Sequence, residues 1–188
     1  MSKRKRSSIL LVCNTFPPSV GGVGEYAYNL VKFLKSKYNF IIIAPSEDAK
    51  SSHVENRSYN ENIVFETSTV FRVGKLPRSP PYIATLPLVT KSYQLLKKEE
   101  FNVRLIHTHS FGQIHSDILT LLSHKNLPVV YTIHGWKNAE NKIASKLYST
   151  YELTIARLVL RKANVITVLG NRSKKYLRSI LGYEFNLY

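Results

Sequence analysis

The sequence predicts an α/β protein with a doubly wound, mainly parallel sheet and helices on both of its faces. Two observations carry this prediction. Short apolar runs alternate along the chain with segments whose apolar residues recur at helical spacing, the pattern of repeated strand–helix units. Right-handed crossovers between parallel strands then place helices on both faces of one sheet. With 188 residues, of which 44% are hydrophobic, the chain suits a single domain with a normal core.

The first strand–helix–strand unit is the clearest part of the pattern. Residues 9–13 form an uninterrupted apolar run, which is typical of a buried strand. Residues 40–44 form a second buried strand, and Pro45 is expected to end it. The helix between them is expected to carry on its inner face Tyr26, Leu30, Phe33 and Leu34.

The middle of the chain is less regular. Residues 46–62 are polar and show no period, which predicts a loop. Two weaker strand candidates follow at residues 63–65 and 70–73. Proline is tolerated at a helix start but not deep inside a helix, so the next helix is expected to begin near Pro87. Its inner face is expected to carry Leu88, Ser92, Leu95 and Leu96.

The second half alternates regularly between strands and helices. Strands are predicted at residues 103–107, 129–133 and 165–168. The helix after the first of them is marked by Ile114, Ile118, Leu121 and Leu122. The long helix after the second is marked by Ile143, Leu147, Tyr151, Ile155 and Leu158. A last helix is marked by Tyr176, Leu177, Ile180 and Leu181, and Gly182 suits its C-terminal end.

Composition narrows the classes of function. The 27 Lys and Arg residues outnumber the 12 Asp and Glu residues, giving a net charge of +15, which indicates an anionic neighbour. A nucleic acid is not expected, because no helix-turn-helix, zinc-finger or RNP-type signature is present. The single cysteine, Cys13, excludes an internal disulfide framework. No apolar run is long enough to span a membrane, so we expect a cytoplasmic protein.

A glycine-rich turn follows the first strand, at Gly21, Gly22 and Gly24. Glycine permits positive φ and close approach of the backbone to a ligand, and the following helix offers free N–H groups and a positive dipole end. The carboxyl ends of parallel strands are also where such sheets bind ligands. A bound phosphate is therefore expected at this turn, and a tight turn that needs glycine for shape alone is the alternative.

The segment from Gly22 to Ala27 also fits the G-x-G-x-x-A pattern of dinucleotide-binding proteins. Glu47 or Asp48 would then bind the ribose. That fingerprint normally turns directly off the strand, whereas here a loop containing Pro17 intervenes. An NAD(P)-dependent oxidoreductase is therefore only a minor alternative.

Three histidines are expected near the same edge of the sheet. His107 and His109 are two residues apart, so on a strand they share one face. His109 is expected in the loop that follows the strand at residues 103–107, and His134 begins the loop after residues 129–133. Three imidazoles suit a metal, but no carboxylate or cysteine lies nearby in sequence, so no metal is predicted. His107 suits a core histidine bonded to backbone. His134 is the better candidate to bind a sugar hydroxyl or a phosphate.

Four motifs in this order resemble the N-terminal domain of GT-B glycosyltransferases, specifically glycosyltransferase family 4. The motifs lie at residues 16–26, 106–109, 129–135 and 163–168. Members of the family are retaining transferases that use nucleotide sugars, and their Rossmann-like N-terminal domain mainly binds the acceptor. The resemblance implies no cofactor beyond the nucleotide-sugar substrate.

The resemblance also implies a role for each candidate residue. Gly21 and Gly22 would approach the donor diphosphate or an acceptor phosphate. His134 would contact the transferred sugar or the reacting centre as the catalytic residue, and His109 would line the pocket. Tyr26 would hold the helix start or touch the acceptor, with packing the favoured role.

The sequence departs from the family pattern at a few positions. Arg104 stands where an acidic residue is frequent, Asn164 where Asp is common, and Leu169–Gly170 where a serine is often found. These departures either alter acceptor preference or have little effect.

The expected organisation is a basic tail at residues 1–7 and one acceptor-side domain at residues 8–188, with the C-terminal donor-binding domain absent. Transfer would then be weak or absent without a separate donor-binding domain or subunit. The alternative is a non-catalytic subunit that recruits a partner or contacts an anionic membrane, for instance the inner face of the cell membrane. Its cations would be Lys146, Arg157, Arg161, Lys174, Lys175 and Arg178.

Overall fold

A seven-stranded sheet forms the centre of the protein in its computed structural model. The structure describes residues 6–17, 21–46, 63–65, 68–75, 86–109, 111–123, 126–135, 146 and 149–181. The strands are β1 (Ser8–Val12), β2 (Asn39–Ser46), β3 (Ile63–Phe65), β4 (Ser68–Lys75), β5 (Val103–His109), β6 (Val129–Ile133) and β7 (Val165–Val168). The helices are α1 (Gly22–Leu34), α2 (Leu86–Leu96), α3 (Ile114–Leu121), α4 (Arg157–Lys162) and α5 (Asn171–Leu181). Two shorter pieces are a 3₁₀ turn at Glu99–Phe101 and a π-helical turn at Glu152–Ala156.

The strand order confirms the predicted doubly wound architecture. The order is β3-β4-β2-β1-β5-β6-β7, with every neighbouring pair parallel except β3 and β4. The chain moves outward from β1 through β2 to β4, and then returns to β5 on the other side of β1. The strand order therefore reverses between β1 and β5, which is where a sheet of this kind opens a crevice at its carboxyl edge.

Alternating strand residues face opposite sides of the sheet. Leu11 and Ile42 point to the side that α1 covers, where they join Ala27 and Val31 in one apolar cluster. Leu10 and its neighbours point to the other side, where α2 and α3 pack. On that same side, α4 and α5 pack around the outer strands β6 and β7. The sheet is thus wrapped on both faces, as its two-sided apolar strands require.

Helix α1 lies where it was predicted, but its buried face is different. The prediction placed Phe33 on the inner face, whereas its side chain is 80% exposed. The buried residues are Gly24, Ala27 and Val31, and Leu30 is only partly buried. Small residues let the helix approach the sheet closely, so backbone proximity rather than side-chain size selects this face.

Helix α3 lies where its apolar residues predicted it, but two of the four residues that marked it do not face the core. Leu121 and Leu122 are exposed, whereas the buried residues include Ser116, Asp117 and Thr120. Each of these polar side chains has a hydrogen-bond partner inside the protein. Apolar periodicity could not find this face, because burial of a hydrogen-bonded polar side chain costs little.

The helix before β7 changes its buried face partway along. Tyr151 is partly buried as predicted, but Ile155 and Leu158 are 47% and 60% exposed. Ala156 and Val159 are buried instead. The cause is the π-helical turn at Glu152–Ala156, because a π turn takes one more residue than an α turn and rotates the following side chains around the axis.

The observed bounds of β1, β2, β4 and β5 differ from the predicted ones by one or two residues at an end, and several predicted features cannot be compared. Strand β2 continues through Pro45 to Ser46, with its register to β4 shifting there, and β5 continues to His109. Of the loop predicted at residues 46–62, Ser46 belongs to β2 and residues 47–62 lie outside the described residues, as do the helical positions Ile143 and Leu147 and also Gly182. Within the described part, no helix combines the length and apolarity that a membrane crossing needs.

Candidate functional site

The carboxyl ends of β1, β5 and β6 bring three predicted site residues together. Tyr26 comes from the second turn of α1, His109 ends β5, and His134 follows β6. His109 was expected in the exit loop, but it is the last strand residue and is fully buried. The three rings meet at the point where the strand order reverses, so topology and side-chain chemistry indicate the same crevice.

The two histidines are joined directly. His109 Nδ1 and His134 Nε2 lie 2.8 Å apart, a hydrogen bond in which either ring can be the donor. Tyr26 packs edge-on against His134 with a centroid separation of 5.1 Å and also contacts His109 at 5.7 Å. Tyr26 therefore packs on both imidazoles, which agrees with its favoured packing role. The bond leaves His134 Nδ1 as the ring atom available to a ligand.

Burial keeps both histidines of this pair neutral at neutral pH. Removal from water lowers the pKa of His134 to about 4. Burial holds the pKa of His109 well below its usual value, and the neighbouring His107, His134 and His115 lower it further. A neutral imidazole both donates and accepts a hydrogen bond, which suits sugar hydroxyls better than it suits an anion.

His107 lies two residues before His109 on β5, in the same row of rings. It stacks on His109 with a centroid separation of 4.4 Å. The prediction of a core histidine bonded to backbone was half right, because His107 is buried but its Nε2 bonds the Thr132 hydroxyl at 2.7 Å. Thr132 in turn bonds Thr167 at 2.6 Å. This chain of side chains anchors the ring row across β5, β6 and β7.

The glycine-rich turn does not adopt the expected positive φ. Gly21 has φ 162°, which is extended backbone, and among the described glycines only Gly112, with φ 70°, lies in the left-handed region. A Cβ atom on Gly24 would lie 3.2 Å from the backbone of Phe16, so this glycine allows α1 to pack on the preceding loop. A Cβ atom on Gly22 would meet nothing within 4 Å. Gly22 thus faces open space, and no described side chain caps α1.

Several buried polar atoms near this edge have no hydrogen-bond partner among the described residues. His109 Nε2 is one of them, and both ring nitrogens of His115 are others. The remaining atoms in this part of the protein are Asn14 Oδ1, Thr15 Oγ1, Thr108 Oγ1 and Gln113 Oε1. Buried polar atoms are nearly always satisfied in native proteins, so such a group indicates solvent or ligand in the working protein. Sequence periodicity gave no sign of His115 or Gln113.

Arg72 is a further residue that the sequence pattern did not single out. Its guanidinium donates to the carbonyl oxygens of Phe16 and Pro17 and lies over the Phe16 ring. It therefore fixes the loop between β1 and the glycine turn. The available signal was a charged residue within an apolar strand, which usually needs a specific partner.

Neither the metal nor the dinucleotide alternative gains support. Within the described part of the chain, no group of three or more His, Cys, Asp or Glu side chains is arranged to hold a metal ion. The loop from residue 13 to Gly21 separates β1 from α1, unlike a direct dinucleotide turn. Glu47 and Asp48, the candidate ribose ligands, lie outside the described residues.

Comparison with known proteins identifies the family. A sequence model for Glycosyltransferase Family 4 matches residues 20–186. The chain belongs to glycosyltransferase family 4. A search of curated proteins found no match.

A solved glycosyltransferase supports the same fold. The catalytic domain of Starch Synthase IV from Arabidopsis thaliana, bound to ADP and acarbose, matches with a TM-score of 0.60 and 14% identity. The match covers 95% of this chain and 50% of the starch synthase chain, so the family 4 chain spans about half the length of that structure. The likeness confirms the predicted Rossmann-like architecture of a GT-B glycosyltransferase.

The departures from the family 4 pattern lie mostly away from the crevice. Asn164 Oδ1 accepts a hydrogen bond from the Val129 N–H at 2.8 Å, at the amino end of β6. Arg104, at the amino end of β5, is exposed and bonds Asn102. Both residues lie at the edge opposite the candidate site. Only Leu169–Gly170 follows a strand at the carboxyl edge, where Gly170 precedes α5.

Proposed function

We propose that this chain is the acceptor-side domain of a retaining glycosyltransferase, which moves a sugar from a nucleotide sugar to a hydroxyl of a sugar, lipid or other acceptor. The family match supports glycosyl transfer in general. The observation that carries the proposal is the joined pair of neutral histidines beside an open helix start, at the reversal in strand order. Retention is taken from the family.

The proposed phosphate site is the start of α1. Gly22 leaves space for a ligand beside the helix, and the N–H groups of the first turn point out of its N-terminus. An anion there gains from these donors and from the positive end of the helix dipole. In transfer, the same donors would stabilise the negative charge that develops on the departing diphosphate. Gly21 would contribute by close approach, and Gly24 by holding the helix in position.

The proposed sugar site is His134. Its Nε2 is engaged with His109, and its Nδ1 would bind a hydroxyl of the transferred sugar or of the acceptor. Tyr26 packs against both rings and fixes their orientation. Orientation matters because much of the barrier to transfer between two bound molecules is lowered by holding them in a reactive geometry.

The second wall of the cleft would come from a separate donor-binding domain or subunit. The starch synthase structure contains ADP, and this chain matches half of that protein. In the proposal, the donor nucleotide is bound mainly by that donor-binding domain or subunit, so these 188 residues bind it weakly. A nucleotide sugar and a hydroxyl acceptor are thus the partners, without a metal or other cofactor.

The test is to titrate the chain with a panel of nucleoside diphosphates and nucleotide sugars, monitored by ligand-observed NMR. We expect weak binding that Gly22→Val reduces by about tenfold, because the added side chain occupies the space beside the helix start. We expect His134→Ala to weaken binding of the nucleotide sugar more than binding of the free nucleoside diphosphate, because the substitution removes only the contact to the sugar.

A matched control is available at α5. Gly170 also precedes a helix at the carboxyl edge, and a Cβ atom there also meets nothing within 4 Å. Gly170→Val should leave binding unchanged. If it weakens binding as much as Gly22→Val does, the phosphate site is not at α1. Robust sugar transfer by the chain alone would contradict the claim that a donor-binding half must be supplied.

A further inference from the structure

The surface formed by the π-helical turn, α4 and α5 combines exposed leucines with exposed cations. Leu153 and Leu158 are 61% and 60% exposed. The exposed cations on the same two helices are Arg161, Lys162, Arg172, Lys175 and Arg178. We call these seven residues the α4–α5 surface. It lies on the opposite side of the sheet from α1.

The leucines are exposed because of the backbone, not because the helix lacks a buried face. After the π-helical turn, Ala156, Val159 and Leu160 fill the core. Leu153 and Leu158, separated by one π turn, are left on the outer side. Arg161 and Lys162 follow Leu158 by three and four positions, so they lie on the same side one turn further along.

The two helices are neighbours, and each of them carries exposed cations. Leu177 of α5 packs in the same apolar cluster as Val159 and Leu160 of α4. From residue 149 to residue 181, the only acidic residue is Glu152. The cations in that range are Arg157, Arg161, Lys162, Arg172, Lys174, Lys175 and Arg178. This part of the chain is therefore strongly cationic, with Glu152 as its one acidic residue.

We propose that the α4–α5 surface docks on an anionic lipid membrane, with Leu153 and Leu158 inserted among the lipids and the surrounding cations bound to headgroup phosphates. Each cation near an acidic membrane adds to the attraction, and each buried leucine adds an apolar contribution that salt does not screen. A nucleic acid would use the cations, but the aliphatic leucines offer it no aromatic platform for base stacking. The proposal is independent of the proposed sugar transfer, because it uses no residue of the candidate functional site.

The experiment is co-sedimentation of the 188-residue chain with vesicles of phosphatidylcholine alone or of phosphatidylcholine mixed with phosphatidylglycerol. We expect binding only to the mixed vesicles, weakened by added salt. The variant Leu158→Ser with Arg161→Glu and Lys162→Glu should bind at least about tenfold more weakly. The double variant Leu153→Ser with Leu158→Ser keeps the net charge, and its affinity for the mixed vesicles should fall by about tenfold.

Helix α1 provides a matched control. Phe33 is 80% exposed, and Lys32 and Lys37 beside it are also exposed. The variant Phe33→Ser with Lys32→Glu and Lys37→Glu changes the net charge by the same amount as the first variant. Its vesicle binding should fall less than about threefold, because only long-range attraction is reduced. All altered side chains are exposed, so circular dichroism and melting temperature should be unchanged.

A second readout reports insertion directly. Tryptophan placed by Leu158→Trp should be quenched by brominated lipids in the mixed vesicles, and tryptophan placed by Phe33→Trp should not. The proposal is overturned if the α1 control loses as much binding as the α4–α5 variant. It is also overturned if the double leucine variant binds like the parent chain, because the leucines would then contribute nothing to vesicle binding.

Discussion

The two edges of the sheet differ in how they satisfy their polar groups, although Ser68 Oγ at the amino end of β4 is also buried without a partner among the described residues. At the amino edge, the Val129 N–H donates to Asn164 Oδ1, and the Asn164 N–H donates back to the Val129 carbonyl at 2.9 Å. The Ser8 N–H likewise donates to the Asn102 carbonyl at 3.1 Å. At the carboxyl edge, buried atoms of His109 and His115 have no partner among the described residues.

Under the proposed function, this difference separates the edge that stabilises the fold from the edge that binds a ligand. A buried polar atom without a partner costs about 1–3 kcal/mol, so a group of them lowers stability unless solvent or a ligand satisfies them. Proteins tolerate such local conflicts mainly at functional sites. Under the proposed function, the carboxyl edge, where most of these atoms lie, gives up stability for binding.

The largest expected effect is loss of stability in acid, which originates at the carboxyl edge. Burial lowers the pKa of His107 and of His115 to about 4, whereas an unfolded histidine has a pKa of 6.5. As pH falls below 6.5, the unfolded chain takes up protons that the folded chain cannot, so these histidines lose their stabilising contribution down to about pH 4. Together they should lower the free energy of unfolding by several kcal/mol.

Asp117 acts in the opposite direction. Burial raises the pKa of Asp117 to about 6. Hydrogen bonds from Tyr151 and Tyr131 lower this pKa, but the effect of burial is larger. The folded chain therefore binds a proton there before the unfolded chain does, and stability rises as pH falls from about 6 towards 4. Urea unfolding from pH 7.5 to pH 4.5 would measure the net effect. Asp117→Asn should steepen the loss of stability with falling pH. Stability of Asp117→Asn that does not fall with pH would contradict the histidine assignment, and an unchanged slope would contradict the Asp117 assignment.

A smaller effect is expected from breaking the amino edge at Asn164. Asn164→Leu removes the acceptor of the Val129 N–H, and Val129 is fully buried. The free energy of unfolding should fall by about 1–3 kcal/mol, measured by urea denaturation at pH 7.5. Asn164→Asp keeps an acceptor in place and should cost less than about 1 kcal/mol. Equal losses in the two variants would show that the hydrogen bond is not what matters there.

The sequence predicts the sheet far better than it predicts helix faces. Strand positions followed from uninterrupted apolar runs, because parallel strands are buried on both sides. The carboxyl-edge placement of His109 and His134 followed from the same alternation of elements. Exposure of Leu158 could not be predicted, because it depends on a π turn that has no simple sequence pattern.

The local structure of the site shows the same limit. The pairing of His109 with His134 is a contact between residues far apart in sequence, at the ends of two strands whose register only the folded sheet defines. The role of Gly24 depends on how closely α1 approaches the loop before it, which is again a tertiary property. Motif recognition located these residues, and packing assigned their contacts.

The smallest expected effect has the opposite sign and lies at the carboxyl edge. His115 is completely buried, and neither of its ring nitrogens has a partner among the described residues. His115→Leu replaces the imidazole with an apolar side chain of similar volume, so stability at pH 7.5 should be unchanged or rise by up to about 1 kcal/mol. The same replacement by leucine at Asn164 should destabilise, which makes the pair a direct comparison of the two edges. A loss above about 1 kcal/mol for His115→Leu would mean that bound solvent satisfies the ring in solution, and that the carboxyl edge gives up no stability for its ligand.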